Sequence, residues 1–273
     1  MSIIKSVFFA ASCLVASHAM AEPLIAEVVS AEDIKWGYLN PLRGEASPGA
    51  ADLWGDRTKE GATGMLVRFN PGFASPPHIH NITYKGIVIK GLMHNDDPNA
   101  AEMWLPTGSF WTQPAGEDHI TAANGEANLI YLEIDSGPYL VQPSVQAFDN
   151  GERPLNLHRS NMVWLDSTDS HRLHDEGVQS TFLWGKTDNG QLNGSLVKLP
   201  PGFQGKLLTS ATEFRAIVIQ GQMAYQSALI DDEKVLDAGS YFGSEGTFSH
   251  ELSVPDNSEV TLYIRTNDNY KIN

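Results

Sequence analysis

Residues 76–91 read PPHIHNITYKGIVIKG: His78 and His80, one residue apart, lead through Tyr84 into the β-branched apolar run of Gly86–Ile89. Such a run favours an extended strand. Residues two apart on a strand share a face, so His78 and His80 point the same way, and Tyr84 has the same parity. A strand suited to a core that begins with two imidazoles calls for an explanation.

The stretch recurs. Residues 53–91 open with LWGDRTKEGATGMLVRFNPGF and close with KGIVIKG, and residues 183–221 open with LWGKTDNGQLNGSLVKLPPGF and close with RAIVIQG. At an offset of 130 (183 − 53) and without a gap, LWG, PGF and IVI are identical, Tyr84 meets Phe214, and Lys85 meets Arg215. GSFW at Gly108 matches GSYF at Gly239 at an offset of 131 (239 − 108). The chain is a tandem duplication, expected to divide into 22–150 and 151–273. Each half carries short β-branched and aromatic runs such as GMLVRF, NLIYLEI and TLYIR, separated by Pro, Gly, Asn and Asp, and almost no helical periodicity. The fold class is all-β, a sandwich or barrel in each half, with the copies side by side in one chain or across a homodimer.

Residues 1–21, MSIIKSVFFAASCLVASHAMA, have a basic start, an apolar stretch and small residues at Ala19 and Ala21. This form predicts a signal peptide cut after Ala21 and a periplasmic or secreted protein. The apolar stretch is shorter than the roughly 20 residues a bilayer span requires, so no membrane association is expected after cleavage. The single cysteine, Cys13, would leave with the signal, which excludes disulfides, thiolate ligands and a cysteine nucleophile from the mature chain. The net charge of −15 argues against nucleic acid or anionic lipid as a partner and does not identify a substrate.

A second histidine signal follows the first. Gly72 precedes His78 by a five-residue gap, and GSFWTQPAGEDH runs from Gly108 to His119 as glycine, five residues, proline, one residue, glycine, two residues and histidine. Both patterns resemble the two motifs of the cupin superfamily, the first in its germin-type form. The duplication resembles a bicupin and is similar to a family of secreted bacterial double cupins. The resemblance implies two tandem double-stranded β-helix (jelly-roll) barrels and a divalent transition metal, iron, manganese, zinc, nickel or copper, on His78, His80 and His119. The physics agrees: an adjacent strand can bring His119 beside the first two imidazoles, and three such ligands leave coordination positions open.

Tyr84 stands where the family has a glutamate ligand. It is a candidate catalytic residue, either filling space beside a three-histidine shell or serving as an occasional ligand or proton donor. Losing that carboxylate leaves the site more positive and favours an anionic substrate. Glu102 is the best substitute carboxylate between the motifs; His94, Asp96 and Asp97 are expected in a polar loop, and Lys85 on the exposed side of its strand. In the second half the same alignment gives Leu208 and Ser210 for the first two histidines and His250 for the third, so no metal site is expected there. His158, His171 and His174 are expected to be solvated, and Trp54 and Trp184 to pack the core of each copy. Three classes of function remain: a metal-dependent enzyme, oxygenase or oxidase before lyase or isomerase; a small-molecule binding protein; or a structural protein using the fold alone. The loss of the histidine set from one half alone weighs against the last.

Overall fold

The computed structural model describes residues 25–273, and the expected signal peptide at 1–21 lies outside the described residues. Among the described residues the only helical elements are four 3-10 turns, Ala31–Asp33, Pro41–Ala46, Ser144–Gln146 and Arg159–Asn161. Everything else regular is strand, as the short β-branched runs require.

The strand Tyr84–Lys90 lies inside a seven-stranded sheet, between Phe110–Gln113 and Asn128–Ile134. Thr63–Phe69, Gly49–Trp54 and Gly37–Tyr38 extend the sheet on one side, and Leu155–Leu157 closes the other. Against it pack a three-stranded sheet (Ile120–Ala123, Leu92–Asp96, Leu105–Pro106) and the pair Val141–Pro143 with His78–His80. The second barrel joins a six-stranded sheet, which includes Phe214–Gln220 and Val260–Thr266, to a five-stranded one that includes Gln204–Thr209 and Phe248–Ser253. The chain exchanges edges between them. Ile25–Val29 pairs with Tyr241–Glu245 of the second barrel, while Leu155–Leu157 pairs with Phe110–Gln113 of the first.

Side-chain alternation explains the apolar run. Tyr84 and Val88 face the interior of the first barrel, whereas Ile87 and Ile89 face outward, into a cluster with Ile217, Ile219, Tyr241 and Tyr263 of the second. The two large sheets therefore lie back to back. A strand buried on both faces reads as continuously apolar.

Two sequence expectations change here. Trp54 and Trp184 pack in the layer between the barrels, not inside each copy. Lys85 is 8% exposed, since its parity directs it into the same layer. There its Nζ donates to Asp135 Oδ2 at 2.6 Å and sits 4.1 Å from the ring centroid of Trp184. At the centre of the layer Arg265 reaches Asp135 at 2.6 Å, Glu213 at 2.7 Å and Glu133 at 3.3 Å. Glu133 also accepts from Tyr263 Oη at 2.8 Å and Tyr131 Oη at 3.0 Å. A charge buried this deeply requires such partners.

Candidate metal centre

The strand His78–His80 begins after Pro76 and Pro77, which favour an extended chain. His78 and His119 are paired across the barrel wall by two backbone hydrogen bonds of 3.0 Å each. His80, two residues on, turns its ring to the same side. The ring centroids lie 4.3 Å apart for His78 and His119, 5.1 Å for His78 and His80, and 5.2 Å for His80 and His119. One nitrogen from each ring lies within 4.8 Å of the other two. Among the described residues no other group of three histidines, cysteines or carboxylates comes together in this way.

The hydrogen bonds leave lone pairs free. His78 Nδ1 lies 2.9 Å from the carbonyl oxygen of Pro76, and His119 Nδ1 lies 3.1 Å from that of Glu117. A ring that donates from Nδ1 to a carbonyl keeps an unprotonated Nε2, the form a metal takes. His119 Nε2 is 3.3 Å from Tyr84 Oη, but that hydroxyl donates its one proton to Asn95 Oδ1 at 2.8 Å. His80 Nδ1 is buried with no hydrogen-bond partner, and its Nε2 lies 3.3 Å from Tyr139 Oη. Burial pushes all three imidazoles below their ordinary range, His119 to about 3 and His80 well down, and mutual repulsion adds to the effect on these two. Three neutral imidazoles with unused lone pairs and an orphaned ring nitrogen fit a divalent transition metal. The group can hold one.

Beside them lies a cavity of about 350 Å³. Two glycines of the first repeat shape it. A Cβ on Gly86 would come within 2.2 Å of Trp111, so this glycine makes room for the indole that walls the cavity. Gly91, at φ +88°, turns the chain into Leu92–Asp96, where a Cβ would meet Asn128 Oδ1 at 2.3 Å. That turn brings Asn95 to Tyr84. Asn95 Oδ1 also accepts from Thr121 Oγ1 at 2.8 Å, its Nδ2 donates to Gln113 Oε1 at 2.8 Å, and Gln113 Nε2 donates to the Glu117 carbonyl. Tyr84 is thus held as a neutral phenol, with burial pushing its pKa up.

The remaining sequence candidates sit elsewhere. Glu102 is exposed and does not line the cavity. His94 and Asp96 lie on a strand rather than in the expected loop; the former is within 3.3 Å of both backbone polar atoms of Met103, and the latter accepts from Asn156 Nδ2. Asp97 is exposed at the following turn, as are His171 and His174. His158 caps a 3-10 turn through Ser160. Sequence reasoning missed Asn95, Gln113, Tyr139 and Arg43, of which all but Gln113 line the cavity. The alternation of Met93, His94 and Asn95 could have revealed the first, and the parity of Trp111 the second. No spacing rule pointed to Tyr139 or Arg43.

The second barrel corrects one alignment. Leu207 pairs with His250 where His78 pairs with His119, so the structural counterparts of His78 and His80 are Leu207 and Thr209, not Leu208 and Ser210. The loop at 210–213 has one residue more than the loop at 81–83. A one-residue slip inverts which side chains face inward, and Leu207 and Thr209 are the buried ones. His250 has both ring nitrogens engaged, Nδ1 with Tyr225 Oη at 2.9 Å and Nε2 with Ser244 Oγ at 3.1 Å.

Solved structures share this architecture. A Nostoc punctiforme protein provisionally named a dioxygenase is 16% identical, with 92% of this chain and 85% of that one covered, at a TM-score of 0.66. The oxalate decarboxylase of Lactobacillus farciminis is 13% identical over 94% of this chain and 89% of its own, at a TM-score of 0.57. Hazelnut (Corylus avellana) vicilin is 11% identical over 90% of this chain and 87% of its own, at 0.55. These neighbours are cupin-fold proteins, and likeness at such identity shows the fold alone. None of the curated proteins compared with the chain matches its sequence. One family does, across residues 27–273, and the chain belongs to it: DUF4437, described as a domain of unknown function.

Proposed function

We propose that this protein is an exported, metal-dependent double cupin, an oxygenase or oxidase acting on a small anionic organic molecule in its amino-terminal barrel. The observation that carries this reading is the meeting of the nitrogens of His78, His80 and His119 within 4.8 Å, beside a cavity. These three would hold one divalent transition metal. Bound there, the ion supplies open coordination positions for Lewis-acid or redox chemistry.

The chain's own residues set the surroundings. Neutral ligands leave the ion's charge uncompensated, and no carboxylate lines the cavity, so an anion is favoured over a cation. The Asn95 bond holds Tyr84 with its hydroxyl oxygen toward His119, where it can accept a hydrogen bond from a bound molecule. Tyr139 stacks on His80 at 4.5 Å and offers a second phenol at the same edge. The apolar walls exclude water from this corner and strengthen each polar contact in it.

The test is oxygen consumption. Metal-loaded protein given a panel of small organic acids should consume oxygen with at least one of them, and His119→Ala should abolish it. Turnover without oxygen uptake would instead place the protein among lyases or isomerases. Binding without turnover would make it a small-molecule binding protein. Amino-terminal sequencing of protein recovered from the periplasm should begin at Glu22.

A further inference from the structure

The cavity beside the three histidines is uneven in a way that bears on its substrate. One wall of its buried end is hydrocarbon and aromatic, with Val67, Phe69, Trp111, Ile130 and Leu132 each no more than 9% exposed, while Tyr84 and Asn95 stand on the histidine side. Its outer end is formed by the 3-10 turn Pro41–Ala46 and the segment at 139–141. Apart from the histidines, Arg43 is the single charged side chain among the lining residues. None of the ion pairs among the described residues involves it. The rim around it mixes apolar Pro41, Leu140 and Val141 with polar Asn40 and Ser47.

We infer that the site takes a monocarboxylate with an apolar body, its carboxylate on Arg43 at the mouth and its body against Phe69, Trp111, Ile130 and Leu132. This rests on the proposed function, since it names the substrate class of that same site. A guanidinium presents a planar fork that matches one carboxylate in two parallel hydrogen bonds. A short dicarboxylate could set a carboxylate on Arg43 or on the histidine-held ion, but it has no apolar body to cover Phe69, Ile130 and Leu132. A sugar acid is disfavoured because part of its hydroxyl array would face Val67, Phe69, Ile130 and Leu132, which offer it no hydrogen bond, while the polar groups of Tyr84, Asn95 and Thr121 are gathered on the histidine side. At roughly 30 Å³ per small group, the cavity has room for on the order of ten non-hydrogen atoms. An arylacetate or a medium-chain acid fills it, and oxalate leaves most of the wall uncovered.

Titration calorimetry on the metal-loaded full chain tests this with phenylacetate, cinnamate and hexanoate beside phenylacetamide, oxalate and gluconate. At least one of the three apolar acids should bind about tenfold tighter than the amide, oxalate and gluconate. Arg43→Gln should remove about tenfold of that acid's affinity and leave the amide unchanged. Arg43 lies on the surface, so an unaltered melting temperature confirms that the variant folds. Equal binding of acid and amide, tighter binding of oxalate or gluconate, no binding of any apolar acid, or no effect of Arg43→Gln would each overturn the inference. Metal content measured on the same samples separates the two readings. Metal without the preference sinks this inference alone, and the preference without metal sinks the proposed function alone.

Discussion

The two barrels descend from one sequence and use their interiors in opposite ways. In the first, Tyr84, Asn95, Gln113 and Thr121 form a hydrogen-bonded set beside three histidines whose lone pairs are not all used. In the second, the positions of Tyr84, Asn95 and Gln113 hold Phe214, Tyr225 and Ser244, and Leu207 and Thr209 replace the first two histidines. Phe214, Phe242 and Phe248 surround His250 with ring centroids 4.8–5.1 Å away. The lone surviving imidazole there is a fully bonded core residue. One barrel keeps unsatisfied groups and open space, the marks of a site, and the other is filled for stability.

The comparison breaks most severely where the barrels meet. The repeat places Tyr131 opposite Tyr263 and Glu133 opposite Arg265, so equivalent positions carry opposite charges and bond each other. Arg265→Met should destabilise the chain by about 3–5 kcal/mol in denaturant unfolding, because Glu133 would remain buried without its cation. A loss below about 1 kcal/mol would mean that the layer tolerates an isolated carboxylate.

Acid acts on both barrels. Burial holds His80 well down and His119 and His250 at about 3, while an unfolded chain takes up these protons near pH 6.5. The unfolded state therefore binds more protons below that pH. The stability of the metal-free chain is fully present above pH 6.5 and is lost as pH falls toward 3, by about 1 kcal/mol for each of the three by pH 5.5. Denaturant midpoints measured at pH 7.5 and 5.5 check this, and a flat profile would contradict the buried neutral imidazoles.

Replacing single histidines sharpens the contrast. His250→Leu leaves Tyr225 and Ser244 without their partner and should cost about 1–3 kcal/mol. In metal-free protein His119→Leu should cost less than His250→Leu, since it removes imidazole crowding as well as a bond. The reverse order in thermal melts would mean that the first barrel's histidines serve packing. The smallest effect belongs to Tyr84→Phe, about 1 kcal/mol from the lost bond to Asn95, with metal content unchanged. Loss of metal in this variant would make Tyr84 a ligand.

Much of this was legible in the residues. The duplication and the turn-separated apolar runs pointed to paired β-barrels. The spacing around His78, His80 and His119 predicted a cluster, and their rings do meet. What escaped were features fixed by contacts between barrels. Lys85, Trp54 and Trp184 have the parity of an outer face, and only a second barrel on that face turns it into a core. Tyr139 and Arg43 reach the cavity from segments at 137–140 and 41–46 with no fixed offset from the motifs. The substitution of Leu207 for Leu208 was hidden by one extra loop residue, which an ungapped alignment cannot detect.

The central claim is that only one of the two barrels is a metal centre. Elemental analysis of the purified wild type beside His78→Ala, His119→Ala and His250→Ala tests it most directly. The account predicts one divalent transition metal per chain in the wild type and in His250→Ala, and none in the other two. Metal retained by His78→Ala and His119→Ala, or lost from His250→Ala while the protein stays folded, would contradict it.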